Sequence, residues 1–185
     1  MGEEDDINAS IAHIVLCCVA GQGLTRSHVK SYSHPGMHAN YFIHGLVGFL
    51  HYQSGAFNKD FKSMYSISYH ATRYLALPCL NADLYRGDQG LSAIHLISGL
   101  VPFAMALGGT DNQHLGNIVI ACNIVSLCVY SHNHDRVWGW YTAAAAFGAY
   151  FFTTQISKKI AYPLFLALTD YCAYKISHVT VVVTP

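Results

Sequence analysis

Residues 39–54 read ANYFIHGLVGFLHYQS, and this stretch decides the fold. Its polar and small side chains recur at steps of three and four residues, which places them on one face of a helix. Together with the next residues of the chain they form the stripe Asn40, His44, Gly48, His51 and Gly55. Phenylalanine and leucine occupy the opposite side. The pattern predicts a helix in lipid that turns its polar stripe toward other helices and its apolar side toward acyl chains.

The composition of the whole chain supports a membrane protein. Of its 185 residues only 11% are charged, while 52% are hydrophobic. An ordinary soluble domain carries about 25% charged residues, so this chain lacks the charges that a soluble monomer needs on its surface. The high hydrophobic content also excludes a disordered chain. The balance of 10 basic and 10 acidic residues excludes a nucleic-acid binder, which depends on positive charge.

Six further stretches resemble residues 39–54 in length and hydropathy. The seven segments are residues 7–22, 39–54, 63–80, 91–109, 115–131, 137–154 and 160–183. We therefore expect an all-α fold, a polytopic membrane helix bundle of six or seven short transmembrane helices, with residues 1–185 as a single transmembrane domain. The third segment is the weakest, because a central Arg73 costs about 2.5–3.5 kcal/mol on insertion scales. Six spans are the alternative if this segment lies in the interface.

Small residues on two segments predict close helix packing. Gly45 and Gly48 flatten one side of the second segment, and the sixth segment carries Gly139, Ala143 and Ala146 at similar steps. Small side chains let helix backbones approach each other in lipid. We expect these five residues to form a helix-packing face.

Seven ionisable residues lie at membrane depth and form a candidate intramembrane polar site: His13, His44, His51, His70, Arg73, His95 and Asp170. Such groups are costly in lipid and usually mark function. A structural alternative is an ion pair between Arg73 and Asp170, with neutral histidines donating single hydrogen bonds. The expected depths put His13 near His70 and Asp170 at one level, and His44 near His95 at another.

The candidate site leaves its chemistry open. Two levels of histidines suit a bis-imidazole haem, a divalent metal or a proton relay. However, no ligand pair has a diagnostic spacing, so no cofactor is predicted and the metal remains unknown. A membrane hydrolase that uses Ser66, His70 and Asp170 is a weaker alternative, and no catalytic residue is assigned.

The first prediction of function is therefore non-enzymatic. We expect an integral, multi-pass membrane protein that acts as a subunit, scaffold or assembly partner through helix–helix contacts with other membrane proteins in the lipid bilayer, with no nucleic acid partner. The alternative is a small transporter, or a haem or proton carrier, that uses the intramembrane histidines and Asp170.

Overall fold

A computed structural model of the protein describes residues 5–26, 33 and 36–179, and these residues form helices with no strand among them. The predicted all-α class is confirmed for this part of the chain. The first helices are α1 (Ile7–Arg26), α2 (Gly36–His51), the short α3 (Ser54–Phe57), α4 (Lys62–Tyr74) and α5 (Ala76–Leu84). They are followed by α6 (Gln89–Leu107), α7 (Gln113–Asn133), α8 (Val137–Phe147), a π-helical turn (Gly148–Phe152), α9 (Thr153–Ile156) and α10 (Ala161–Val179). Residues 180–183 of the seventh predicted segment lie outside the described residues.

Three of these helices are long and apolar enough to cross a membrane. They are α1 over Ile7–Thr25, α6 over Gln89–Leu107 and α7 over Gln113–Asn133. Much of the outer surface is apolar, as shown by exposed fractions of 62% for Ile94 and 61% for Val125. This surface suits acyl chains better than water.

The third predicted segment is a helix with one break. α4 and α5 are separated only by Leu75, and Pro78 causes this break in the helix. Proline has no backbone N–H, so Pro78 cannot donate to the Tyr74 carbonyl one turn earlier, and its ring crowds that carbonyl. Gly99 of α6 fits against this break, because a Cβ at Gly99 would meet the Tyr74 carbonyl and the Pro78 ring.

α2 packs against α1, α4, α5 and α10. α1 also packs on α10, α5 packs on α6 and α7, and α7 and α10 both pack on α8. One side of α2 therefore lies inside the bundle, while Ile43 and Leu46 on its other side are exposed. α1 and α2 run antiparallel, since Gly45 lies against His13 and Cys17 whereas Gly23 lies against His38.

Candidate functional site

The inner side of α2 carries a row of buried polar side chains. His38, Tyr41, His44 and His51 follow one another at helical steps, with exposed fractions of 7%, 0%, 0% and 7%. About 20 Å separates the first from the last along the helix axis, at 1.5 Å per residue. The row therefore extends through most of the bundle interior, from what we call the His38 end to the His51 end.

Five aromatic side chains meet near the His51 end of the row, and we call them the histidine–tyrosine cluster: His13, His44, His51, Tyr52 and Tyr65. The His13 and His44 rings lie 5.4 Å apart between centroids. Tyr65 stacks on His44 at 5.2 Å and on His51 at 4.6 Å. Three predicted site residues from two helices thus come together in one place.

Hydrogen bonds fix the two innermost imidazoles. His13 Nδ1 donates to the Ala9 carbonyl at 2.9 Å. His44 Nδ1 lies 2.9 Å from Ser68 Oγ, whose own hydrogen is donated to the Tyr65 carbonyl, so His44 is the donor. In a neutral imidazole the other nitrogen is then an acceptor. Neither His13 Nε2 nor His44 Nε2 has a hydrogen-bond partner in the described part of the chain, and both side chains are fully buried.

The middle of the row is formed by hydroxyl groups, which we call the tyrosine belt: Tyr41, Thr72, Tyr150 and Tyr162. Tyr150 donates to the Thr72 carbonyl at 2.8 Å, so Tyr41 is the donor in the 3.0 Å contact between the two phenols. Thr72 Oγ1 donates to the Tyr69 carbonyl at 2.8 Å, so Tyr162 donates to Thr72 at 3.1 Å. Both branches of the belt therefore end on backbone carbonyls of α4. They separate the histidine–tyrosine cluster from the His38 end.

The His38 end of the row contains a carboxylate. Asp170 Oδ1 of α10 lies 2.8 Å from His38 Nδ1, and the Asp170 side chain has no exposed surface. Its second oxygen, Oδ2, is buried without a hydrogen-bond partner among the described residues. Asp170 is thus a candidate proton-binding group in the bundle interior.

The predicted ion pair between Arg73 and Asp170 is wrong. Arg73 instead donates to Asn117 Oδ1 at 2.6 Å, and its guanidinium lies 5.8 Å from the Tyr74 ring centre. The break at Leu75 ends α4 just after Arg73, on the side of α7, whereas Asp170 faces α2. Arg73 therefore interacts with Asn117 and with neighbouring tyrosines such as Tyr162, and not with Asp170.

The expected pairing of histidines by depth is also wrong. His13 lies beside His44, and His95 lies in another network between α6 and α7. His95 Nδ1 contacts Asn123 Oδ1 at 3.0 Å, and its Nε2 contacts Ser126 Oγ at 3.1 Å, so both nitrogens have partners. His70 packs its ring on Tyr69 and Tyr74. These two histidines lie outside the histidine–tyrosine cluster.

The five small residues of the predicted packing face all lie at contacts within the chain. Gly45 faces the α1 backbone, where a Cβ would lie 2.8 Å from Cys17 N and 2.9 Å from the His13 carbonyl oxygen. Gly48 lies under the His13 ring, and Gly139 lies against Ser131 of α7. Ala143 and Ala146 are buried in α8.

This geometry supports neither the hydrolase alternative nor the metal alternative. Ser66 is exposed on α4, while Asp170 is buried against His38, so the structure does not assemble Ser66, His70 and Asp170. Within residues 5–26, 33 and 36–179, no group of three or more histidine, cysteine, aspartate or glutamate side chains is arranged to hold a metal ion.

Sequence reasoning missed His38 and the tyrosine belt. α2 begins at Gly36, three residues before the predicted segment. The polar stripe predicted from residues 39–54 therefore does not include His38. The spacing of His38, Tyr41 and His44 at three-residue steps was the signal that could have found it. The partners from α4, α10 and the π-helical turn depend on tertiary packing, which periodicity does not show.

No curated protein and no solved structure shows significant similarity to the chain. Residues 36–182 match the family described as a domain of unknown function, DUF4791. This match includes all of α2, which carries the buried polar row, together with α4 and the described part of α10, and it begins after α1. The chain belongs to the DUF4791 family.

Proposed function

We propose that the protein is an integral, multi-pass membrane protein that transfers protons through its interior, with Asp170 as the proton-carrying group. The observation that carries this proposal is the Asp170 carboxylate, fully buried with one oxygen on His38 and the other without a hydrogen bond from any described residue. A charge in this position is expensive in a bilayer, and such residues commonly belong to proton relays. Proton transfer requires one group that can gain and lose a charge there.

Seven membrane spans are part of the proposal. Besides the three helices that meet the length and hydropathy requirement, the chain contains four shorter or more polar helical stretches. α4 and α5 together run from Lys62 to Leu84, about 35 Å at 1.5 Å per residue, and α2 measures about 24 Å. Their polar residues lower the hydropathy, and the buried ones, such as His44 and Thr72, face the bundle interior. The lipid bilayer is then the principal partner of the outer surface.

His38 gives Asp170 a route toward the membrane surface. The exposed fraction of the His38 side chain is 9%, whereas the Asp170 side chain is fully buried. An imidazole can accept a proton on one nitrogen and release one from the other, which makes it a common proton shuttle. In the proposed function, a proton reaches His38 at this end of the bundle and passes to Asp170 Oδ1.

The proposal is tested by proton flux into liposomes that hold the purified full-length protein. An imposed potassium gradient with valinomycin drives the flux, and a pH-sensitive dye inside the vesicles reports it. We expect the Asp170→Asn substitution to lower the flux by about tenfold or more, since a neutral amide cannot carry a proton. Asp111→Asn is the matched control, because Asp111 is an exposed carboxylate that accepts the Tyr74 hydroxyl at 2.7 Å.

Two results would contradict the proposal. The first is wild-type flux no greater than that of empty liposomes. The second is equal flux in Asp170→Asn and wild type at equal amounts of folded protein. Size-exclusion chromatography of each variant in detergent verifies that the folded amounts are equal.

The role as a subunit or scaffold for other membrane proteins stays a prediction. The small residues on which it was based are occupied by contacts inside the chain, so Gly48 is not available to a partner. Of the three helices that are long and apolar enough to cross a membrane, α6 is the least buried, with 17% of its most apolar 18-residue stretch inside the bundle. A partner would have to use this face rather than the glycine face.

A further inference from the structure

A second buried group in the row has the chemistry of a proton-binding site. The His13 and His44 imidazoles each donate through Nδ1, to Ala9 and Ser68 respectively. Both side chains are fully buried, and neither Nε2 has a hydrogen-bond partner among the residues that the structure describes. Burying an acceptor nitrogen without a hydrogen bond costs about as much free energy as losing a hydrogen bond. Two such nitrogens on rings 5.4 Å apart need a reason beyond packing.

Tyrosine rings surround this pair. Tyr52 and Tyr65 lie 5.3 Å and 5.7 Å from the His13 ring, and Tyr65, Tyr69 and Tyr162 lie 5.2–6.4 Å from the His44 ring. Of these rings, Tyr65 stacks on His44 at 5.2 Å, and a ring face at this distance attracts a positive charge. Protonation of one imidazole turns its Nε2 into an N–H donor, and the Nε2 of the other ring is an acceptor without a partner among the described residues.

Other titratable groups face the pair from each neighbouring element. His51 follows on α2, and Asp6 caps the start of α1 by accepting the Ala9 N–H at 3.1 Å. Lys159, in the link before α10, lies 5.9 Å from the Tyr52 ring centre. α4 contributes the phenols of Tyr65 and Tyr69, and α10 contributes that of Tyr162. Asp6 and Lys159 lie at the outer edge of this end, while the buried Arg73 of α4 interacts with Tyr69 and Tyr162 on the far side of His44.

We propose that His13 and His44 form a second proton-binding site, which takes up one proton and is reached from the His51 end. Its place in transfer rests on the proposed function. The tyrosine belt lies between this site and Asp170, and its two chains of hydroxyl hydrogen bonds each end on a carbonyl of α4. A proton therefore binds at one of two separate sites. Transfer between these sites requires the hydroxyl groups of the belt to change their hydrogen-bond partners.

The site is tested by nitrogen NMR of the full-length protein labelled with 15N-histidine in detergent micelles. At alkaline pH we expect His13 and His44 to show the one-proton pattern with the hydrogen on Nδ1. As the pH falls, one ring of the pair should change to the two-proton pattern before the other, because a charge on one ring opposes a charge on its neighbour. His13→Gln and His44→Gln assign the signals. His95, whose nitrogens both have partners, is the internal reference.

Flux through liposomes then separates this inference from the proposed function. His44→Gln should lower the flux by about tenfold, while His95→Gln, the matched control, should stay within about twofold of wild type. Signals of His13 and His44 that keep the one-proton pattern over the whole pH range of the folded protein would overturn the inference. So would unchanged flux in His44→Gln when Asp170→Asn has lost it. Titration of the pair without any wild-type flux would support the site and overturn the proposed function.

Discussion

Two glycines on α2 determine how the site is built at the scale of single residues. Gly45 lets the α1 backbone approach α2, and Gly48 leaves the space that the His13 ring fills. A Cβ at Gly48 would overlap the imidazole of His13, so any larger residue must displace that ring or separate the helices. The position of His13 beside His44 therefore depends on a residue with no side chain.

We predict that Gly48→Ala destabilises the protein by about 1–3 kcal/mol, the usual cost of adding a methyl group to a packed interior. The measurement is the midpoint of thermal unfolding in detergent. Gly87→Ala is the control, because a Cβ at Gly87 meets no described atom within 4 Å. Equal midpoints for wild type and Gly48→Ala would show that the close contact of α1 with α2 is absent in solution.

The sequence predicts some of these residues and not others, for a physical reason. Helical periodicity places His44, Gly48 and His51 on one face of α2, and the structure turns that face inward. Periodicity within one helix carries no information on which neighbour meets that face, or at what depth. For this reason His13 was predicted beside His70, whereas it lies beside His44, and Asp170 was paired with Arg73 instead of His38.

At the scale of helices and turns, the π-helical turn at Gly148–Phe152 shapes the tyrosine belt. A π turn inserts an extra residue into a helix and changes the direction of the side chains that follow, and such turns are frequent at functional sites. Here Tyr150 lies in the turn and is buried, with its hydroxyl between Tyr41 and the Thr72 carbonyl. The turn thus connects α8 to α2 and α4.

Tyr150→Phe should destabilise the protein by about 1–3 kcal/mol, because the Tyr41 hydroxyl and the Thr72 carbonyl would lose a buried partner. The readout is again thermal unfolding in detergent, compared with Tyr141→Phe, whose ring is 55% exposed. A loss of stability in the control as large as that in Tyr150→Phe would argue against the belt.

The helix boundaries themselves were largely predictable. Apolar runs with turn residues between them located α6 and α7 within two residues at each end. The break at Leu75 follows from Pro78 and could have been expected from proline chemistry. The π-helical turn was not foreseeable, because GAYFF has no property that distinguishes it from an ordinary helical turn.

At the scale of the whole molecule, the number of spans determines where the two ends of the chain lie. Seven spans place the N-terminus and the C-terminus on opposite sides of the membrane, while six place them on the same side. In the structure, α4 and α5 pack on α2, α6 and α7. This arrangement favours a third segment that crosses the bilayer together with its neighbours.

We therefore predict opposite locations for tags fused to the two ends of the chain. Intact cells or sealed vesicles that contain the doubly tagged protein are treated with protease, and each tag is followed by immunoblot. One tag should be cleaved and the other protected until detergent is added. Protection of both tags, or cleavage of both, would indicate an even number of spans.

The contact of α1 with α2 has a consequence for how the molecule could be divided. α1 precedes the region that matches the family and fits against α2 through glycines, where the backbones nearly touch. Without α1, the chain from residue 36 onward would leave the surface of α2 at Gly45 and Gly48 exposed. A synthetic peptide of residues 5–26, added in trans to the truncated protein, should bind to this surface of α2 and return His13 to its position beside His44.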